Sequence, residues 1–384
     1  GNGVNLSNAV INSGAGAIAI TGSSVSGLGT QIQKVLAGPS SITSSGAVTI
    51  EGTTGTGEQG VLMVGTSVSA GTGLTVGVGA SSSSRVRIDS STLATSGGNL
   101  SVEAKSTAVE ANGQMGALAI VAASRVQNTG AGNVSLTGEL VGGGVVSVGS
   151  ISGGVLLDMA TVTTAGGAIT VTGKSGVAPA PGVTGVTRGV SIATGTSLGA
   201  GAGTLTITGT TGNSSGINTA GVATDGTLTG ANITITGTAD NSSQSSQTGV
   251  KLGGSINGTN SVAITGSMTG QSGTGVQLAS GTVNAGAGGL TINGSGSSSS
   301  VAASIEGISI TGVASSSGAI SMTGAISVPT GNSASIHGFS MTGAGSVTGS
   351  GSATITLTGQ GVPAPAPNTQ YDLNLIGTTI SSAG

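Results

Sequence analysis

Residues Gly275–Gly294 read GVQLASGTVNAGAGGLTING. Branched aliphatics alternate with small polar residues, a glycine cluster intervenes, and the alternation resumes. Near copies stand at Gly249–Gly266 (GVKLGGSINGTNSVAITG) and Gly189–Gly209 (GVSIATGTSLGAGAGTLTITG). A period of two is strand chemistry, because successive side chains on a strand point to opposite faces. Recurrence at a fixed spacing makes the strands members of a repeat.

Two motifs recur in constant order. One has the form G-x-(V/I/L)-(T/S)-(V/I/L)-(T/x)-G, and its first apolar position falls at Ile169, Leu205, Ile233, Val262, Leu290, Ile320 and Ile355. The other, G-(V/I/F)-x-(L/I/M), starts at Val190, Val250, Val276, Ile308 and Phe339, with a degenerate copy at Val222. Both share a period of about 30 residues, within the range of solenoid repeats. A third short segment such as GTVNAG or TSLGAG lies between them. Three short strands per coil with glycine-rich corners describe an all-β parallel β-helix, or β-solenoid. Each strand pairs with its counterpart one coil on, at about 4.8 Å. The handedness of parallel crossovers favours a right-handed coil. About 12 such coils would make a rod about 60 Å long. The alternation sends Ile169 and Val171 inward and Thr170 and Thr172 outward, with glycine supplying corners of positive φ.

Composition agrees. The 384 residues include 77 glycines, one Tyr, one Phe, no Trp and no Cys, and only 5% are charged. A conventional core, for which aromatics supply much of the buried area, is excluded. Disorder is opposed by the 36% apolar content and low net charge of −3. The chain reads as one continuous solenoid over 1–384. It starts and stops within repeats, so we expect an internal part of a longer chain. The stretch 51–160 reads as less regular, because the motif is missing over the long gap between Val48 and Leu100, which suggests extra strands or a loop. Pro-rich segments at 177–185 and 362–369 read as outward loops at equivalent corners, since proline cannot donate to a ladder.

The tandem units GAITVTG, GTLTITG and GANITITG resemble the passenger regions of filamentous haemagglutinin-like exoproteins and autotransporter adhesins. The resemblance covers most of the chain. It implies a right-handed β-helix, export across the outer membrane of a Gram-negative bacterium through machinery encoded outside this stretch, an extracellular or cell-surface location, and a role in adhesion, biofilm or surface fibres. The expected partners are other copies, end to end or side by side, and a host, cell or matrix surface.

Chemistry is sparse. Glycosidic cleavage needs two carboxylates flanking one bond. The acids are Glu51, Glu58, Asp89, Glu103, Glu110, Glu139, Asp158, Asp225, Asp240, Glu306 and Asp372. No two of them fall at equivalent strand positions one coil apart. The charges between Arg85 and Glu139, including Arg87, Asp89, Glu103, Lys105, Glu110 and Arg125, read as a solvated face. GTSLG (Gly195–Gly199) and GNSSG (Gly212–Gly216) match the nucleophile-elbow pattern, yet no helical periodicity follows them and His337 is the only histidine. GAITVTGKS has five residues between Gly167 and Gly173 where a phosphate loop has four. One histidine makes no metal site, and five aspartates exclude a calcium-binding nonapeptide repeat. The sequons at Asn232 and Asn241 follow from a Ser/Thr/Asn-rich surface. No basic patch offers itself to nucleic acid. The reading is therefore a non-enzymatic structural chain with no catalytic, cofactor-binding or metal site, no cofactor and no small-molecule substrate.

One surface pattern suggests an alternative function. Thr170 with Thr172, Thr206 with Thr208, Thr234 with Thr236, and Thr356 with Thr358 form outward pairs, broken at Ala263, Asn293 and Ser321. Such flat ladders on a solenoid order water in ice-binding proteins. Threonine is also simply a good outward strand residue.

Overall fold

The computed structural model describes residues 1–35, 40–55, 59–77, 84–107, 115–141, 151–176, 186–212, 218–241, 246–298, 304–328, 335–351, 353–361 and 370–382. Among them the regular elements are all strands, and strands of successive turns pair in parallel. They form a β-solenoid with three faces. Face 1 is a 13-stranded sheet from Val4–Ser7 to Gln370–Ile376. Face 2 runs from Val10–Asn12 to Thr379–Ser382, and face 3 from Ile18–Ser24 to Ile355–Gln360. Faces 2 and 3 merge into one sheet, because the strands Thr227–Asn241 and Ser255–Gly270 run unbroken around their shared corner.

The register follows the two sequence motifs. Ile169, Leu205, Ile233, Val262, Leu290, Ile320 and Ile355 are successive partners on face 3. Val190, Val222, Val250, Val276, Ile308, Phe339 and Leu373 are successive partners on face 1. The third segment supplies face 2, where Leu198, Leu228, Ile256 and Val283 align. Twelve ladder steps separate Val4 from Leu373, so a turn averages about 31 residues. At the usual interstrand spacing, twelve steps span about 58 Å.

Alternation holds as expected. Ile169 and Val171 are buried while Thr170 and Thr172 are exposed. The inward aliphatics of all three faces form one continuous core. Each fully buried Val, Leu or Ile stabilises it by about 1.5–3 kcal/mol. Phe339 also fits, fully buried at a face 1 position occupied by Ile308 one turn earlier.

The described part of 51–160 is more regular than the sequence suggests. Val48 pairs with Leu74 and Leu74 with Leu100, so the long gap is two short turns of equal length. The strand Gly73–Gly77 supplies the missing repeat; its sequence, GLTVG, is a shortened form of the motif. The Pro-rich segments 177–185 and 362–369 lie outside the described residues. Each falls between a face 3 strand and the next face 1 strand, as their equivalence in sequence requires.

Glycine has a different main use from the expected one. Positive φ does recur at the corner from face 1 to face 2, at Gly65, Gly195, Gly343 and Gly377, but also at Asn8, Ser90, Ala122 and Met159. Buried hydroxyls brace that corner. The Thr66 and Ser91 amides donate to the Ser91 and Ser124 hydroxyls one turn on, at 3.1 and 3.2 Å. Most motif glycines instead sit where face 3 meets face 1. A Cβ on Gly173 would lie 2.0 Å from the carbonyl oxygen of Gly189. The same meeting occurs for Gly138 with Gly154, Gly209 with Gly221, Gly237 with Gly249, Gly266 with Gly275, Gly294 with Gly307, and Gly324 with Gly338, at 1.8–2.1 Å. Two backbones touch here at turn after turn, forming a glycine waist. The G of TG and the G of GV are thus a pair, fixed by close approach and not by φ.

Beyond the waist, the ends of the face 3 strands and the starts of the face 1 strands enclose a narrow second core. Towards the C-terminus it is apolar, with Ala239, Met268, Ile305, Ile326, Val328 and Ile336. Earlier turns fill it with buried hydroxyls, among them Ser106, Ser175, Thr187, Thr211 and Thr219.

Two substitutions test this account. Gly173→Ala is expected to cost about 3 kcal/mol or more, because neither backbone can retreat without breaking its ladder. Gly166→Ala, with nothing within 4 Å of the added Cβ, is expected to cost no more than about 0.5 kcal/mol. Urea unfolding midpoints compare the two. Met159 is 58% exposed with φ of 52°, so Met159→Gly is expected to raise stability by about 0.5–1 kcal/mol through relief of left-handed strain.

Candidate functional site

Three surface arrays carry the polar chemistry of the solenoid. The first is the outward side of face 3. The paired threonines fall in register, Thr170 with Thr206 and Thr234, and Thr172 with Thr208 and Thr236. Each sequence break removes only one member of a pair. Ala263 is accompanied by Thr265, Asn293 by Thr291, and Ser321 by Thr323. Over the eight levels from Thr137 to Thr358, one row holds threonine at every level but that of Asn293. The parallel row runs Ser135, Thr170, Thr206, Thr234, Ala263, Thr291, Ser321 and Thr356. The result is an uncharged, hydroxyl-bearing grid, about 4.8 Å between levels and about 6.6 Å between rows.

The second array is ionic. Lys105, Glu139 and Lys174 occupy one outward row on three successive levels of face 3. Glu139 bridges both lysines, at 3.3 Å to Lys105 and 3.0 Å to Lys174. The hydrogen bond from Lys174 leads in holding the Glu139 carboxyl below its usual range, against an opposing effect of burial. Lys174, the lysine of GAITVTGKS, is thus a surface ion-pair partner. Arg87 pairs with Asp89 at 2.8 Å along face 1, and Arg125 is exposed on face 2. These match a solvated face. Arg85 does not: it is 5% exposed, paired with Gln59 beside a register shift between Arg85 and Val86. Glu110 lies outside the described residues.

The third array was not legible as a cluster. Thr274, Glu306, His337 and Tyr371 are successive partners in one outward row of face 1. His337 Nδ1 stands 3.6 Å from Glu306 Oε1. The imidazole stacks on the Tyr371 ring with centroids 5.7 Å apart and planes 16° apart. Thr274 Oγ1 donates to Glu306 Oε2 at 3.5 Å. Burial alone would push the Glu306 carboxyl up. Hydrogen bonds from His337 and Ser309, the charge of His337 and a hydrogen bond from Ser340 outweigh it and hold the group below the usual carboxylate range. The only histidine of the chain therefore stands between this carboxylate and the only tyrosine. A signal was present: each of Glu306, His337 and Tyr371 stands two residues before a second-motif position, Ile308, Phe339 or Leu373. Alongside lies a polar cleft of about 350 Å³ whose lining includes Asn218, Thr248, Lys251, Thr274, Gln277 and Glu306.

Ser197 of GTSLG is on the short face 2 strand Ser197–Gly199, which no helix follows. GNSSG falls mostly outside the described residues. Asn232 accepts hydrogen bonds from Asn260 at 2.7 Å and Ser261 at 2.8 Å, a rung between turns. Asp372 accepts from the Gly361 amide at 2.8 Å, and Asp225 lies near enough to Arg188 to act on its charge. No family model, no curated protein and no solved structure matches the chain.

The acid limb of stability follows from Glu306. Its folded-state pKa is lowered, so its contribution is fully present above the unfolded value, near 4.5. That contribution is lost as the pH falls through the folded value. Melting temperature is therefore expected to fall below about pH 4.5, and Glu306→Gln to flatten part of that fall. Thermal unfolding between pH 3 and pH 7 measures both.

Proposed function

We propose that this solenoid is the rod of a secreted or cell-surface adhesin or extracellular fibre. The observation that carries the reading is the unbroken ladder. Face 1 alone stacks thirteen strands, so axial load falls on backbone hydrogen bonds at every level. A stiff element of this kind holds binding surfaces away from a cell, and repetition lengthens it without new design. The uncharged grid on face 3 favours extended contact with a flat or periodic partner, including a second copy side by side. The tandem repeat units resemble adhesin passenger regions, which agrees with the same use.

A second reading is ice binding, favoured by the in-register filling of the threonine rows, which the sequence alone made look more broken than they are. Electron microscopy separates the two. Straight rods in bundles, or attached at one end to cells, are expected for the adhesin or fibre. Isolated particles no longer than the stack of turns itself, about 60 Å, would replace it with ice binding if they also inhibit ice recrystallisation and Thr206→Tyr abolishes that effect.

A further inference from the structure

We propose that a notch on the outer side of face 1, between Arg188 and Lys251, binds the carboxylate of a small, singly charged, hydroxyl-rich ligand of the sugar-acid class. The inference goes beyond the rod reading, which requires no binding site. The notch has a simple origin in the ladder. Two outward rows run along this part of face 1. One is Arg188, Ala220, Thr248, Thr274 and Glu306; the other is Ser191, Ala223, Lys251, Gln277 and Ser309. A single level carries alanine in both rows, so the side chains that would fill it stop at Cβ. The result is a cavity of about 170 Å³ with Ala220 and Ala223 in its floor, Arg188 on one wall, and Thr248 and Lys251 on the other. It is continuous with the cleft of about 350 Å³, because Thr248 and Lys251 line both.

Arg188 calls for an anion. A guanidinium carries five N–H donors in a planar fork. Here Nη1 donates to the Ser191 hydroxyl at 2.8 Å. Among the described residues Arg188 forms no ion pair with a carboxylate. Burial leads in pushing the guanidinium below its ordinary pKa, and the charge of Asp225 offsets this only in part. A half-buried guanidinium served by one hydroxyl gains from an oxyanion that accepts two of its N–H groups side by side. Lys251 is exposed two levels away, about 10 Å along the axis, and adds a second positive charge from the opposite wall.

The count of charges selects the ligand. Arg188 and Lys251 are the charged members of the notch lining. Asp225 stands outside that lining and acts on Arg188 through its charge, leaving about one positive unit for a ligand. A single carboxylate balances it. A phosphate monoester, with close to two charges at neutral pH, does not. A second carboxylate along the cleft would meet Glu306, two levels beyond Lys251. Past the notch the cleft offers the hydroxyls of Thr248 and Thr274 and the amides of Asn218 and Gln277, all of which donate and accept. A body bearing hydroxyls satisfies these groups, whereas an aliphatic one leaves them without partners.

The test is titration of the whole 384-residue chain at pH 7 with galacturonate, galactose, galactose 6-phosphate and propionate, followed by ligand-observed NMR and calorimetry. Galacturonate is expected to saturate, and the other three to bind about tenfold more weakly or less. Arg188→Gln should weaken galacturonate about tenfold, the loss expected for a charge-assisted hydrogen bond. Lys251→Gln should weaken it about threefold, as for an exposed charge. Ala223→Leu fills the notch and leaves every charge in place, and should abolish saturation. Lys174→Gln on face 3 should change nothing, and circular dichroism confirms the fold of each variant. No saturation by galacturonate, equal binding of the phosphate or of propionate, or an Ala223→Leu chain that binds like the parent would each overturn the proposal. Rod dimensions by electron microscopy are read separately, so failure of the notch leaves the rod reading standing.

Discussion

Every turn of this protein must hydrogen-bond to the turn before and after it at one fixed spacing of about 4.8 Å. That constraint dictates the rest. Turns held so closely must have nearly the same outline, so each inward position stacks on its own kind, Val190 on Val222 on Val250. It also makes the surface periodic, because an outward residue is repeated or replaced one level away. Length can vary between turns only where the chain leaves the ladder.

The glycine waist is where the constraint is tightest. Faces 1 and 3 approach until the carbonyl of one glycine occupies the place of a side chain on the other. The contact divides the interior into a main aliphatic core and a narrow second core. It also explains the composition: broad close approach of two backbones needs glycine, and small inward volumes favour Val, Ile, Leu and Ala over rings. Phe339 shows that one ring can be accommodated at a face 1 position within the main core.

Much of the fold was legible because its signal is local. Inward Ile169 and Val171, outward Thr170 and Thr172, and the motif periods are all read from a few adjacent residues. The regular turn at Gly73–Gly77 was less legible because its motif is shortened to GLTVG. The role of the glycines was misassigned because φ and close approach leave the same mark in a sequence, and only the facing backbone separates them. The burial of Arg85 was hidden for a related reason: it shares a strand and a parity with the less buried Arg87 and Asp89, and the register shift between Arg85 and Val86 shows only in the ladder. The row of Glu306, His337 and Tyr371 was missed because its members are separated by whole turns, and each looks isolated until the ladder aligns them.

The central claim is the in-register stacking of turns, and the absence of native cysteine allows it to be measured directly. Ser101 and Thr356 stand on the same outward row of face 3, eight ladder steps apart. Spin labels at Ser101→Cys and Thr356→Cys make that separation readable by pulsed electron paramagnetic resonance. One narrow distance distribution centred at about 38 Å is expected, eight times the interstrand spacing. A broad distribution, or a narrow one displaced by several levels, would contradict the stacking and the functional readings built upon it.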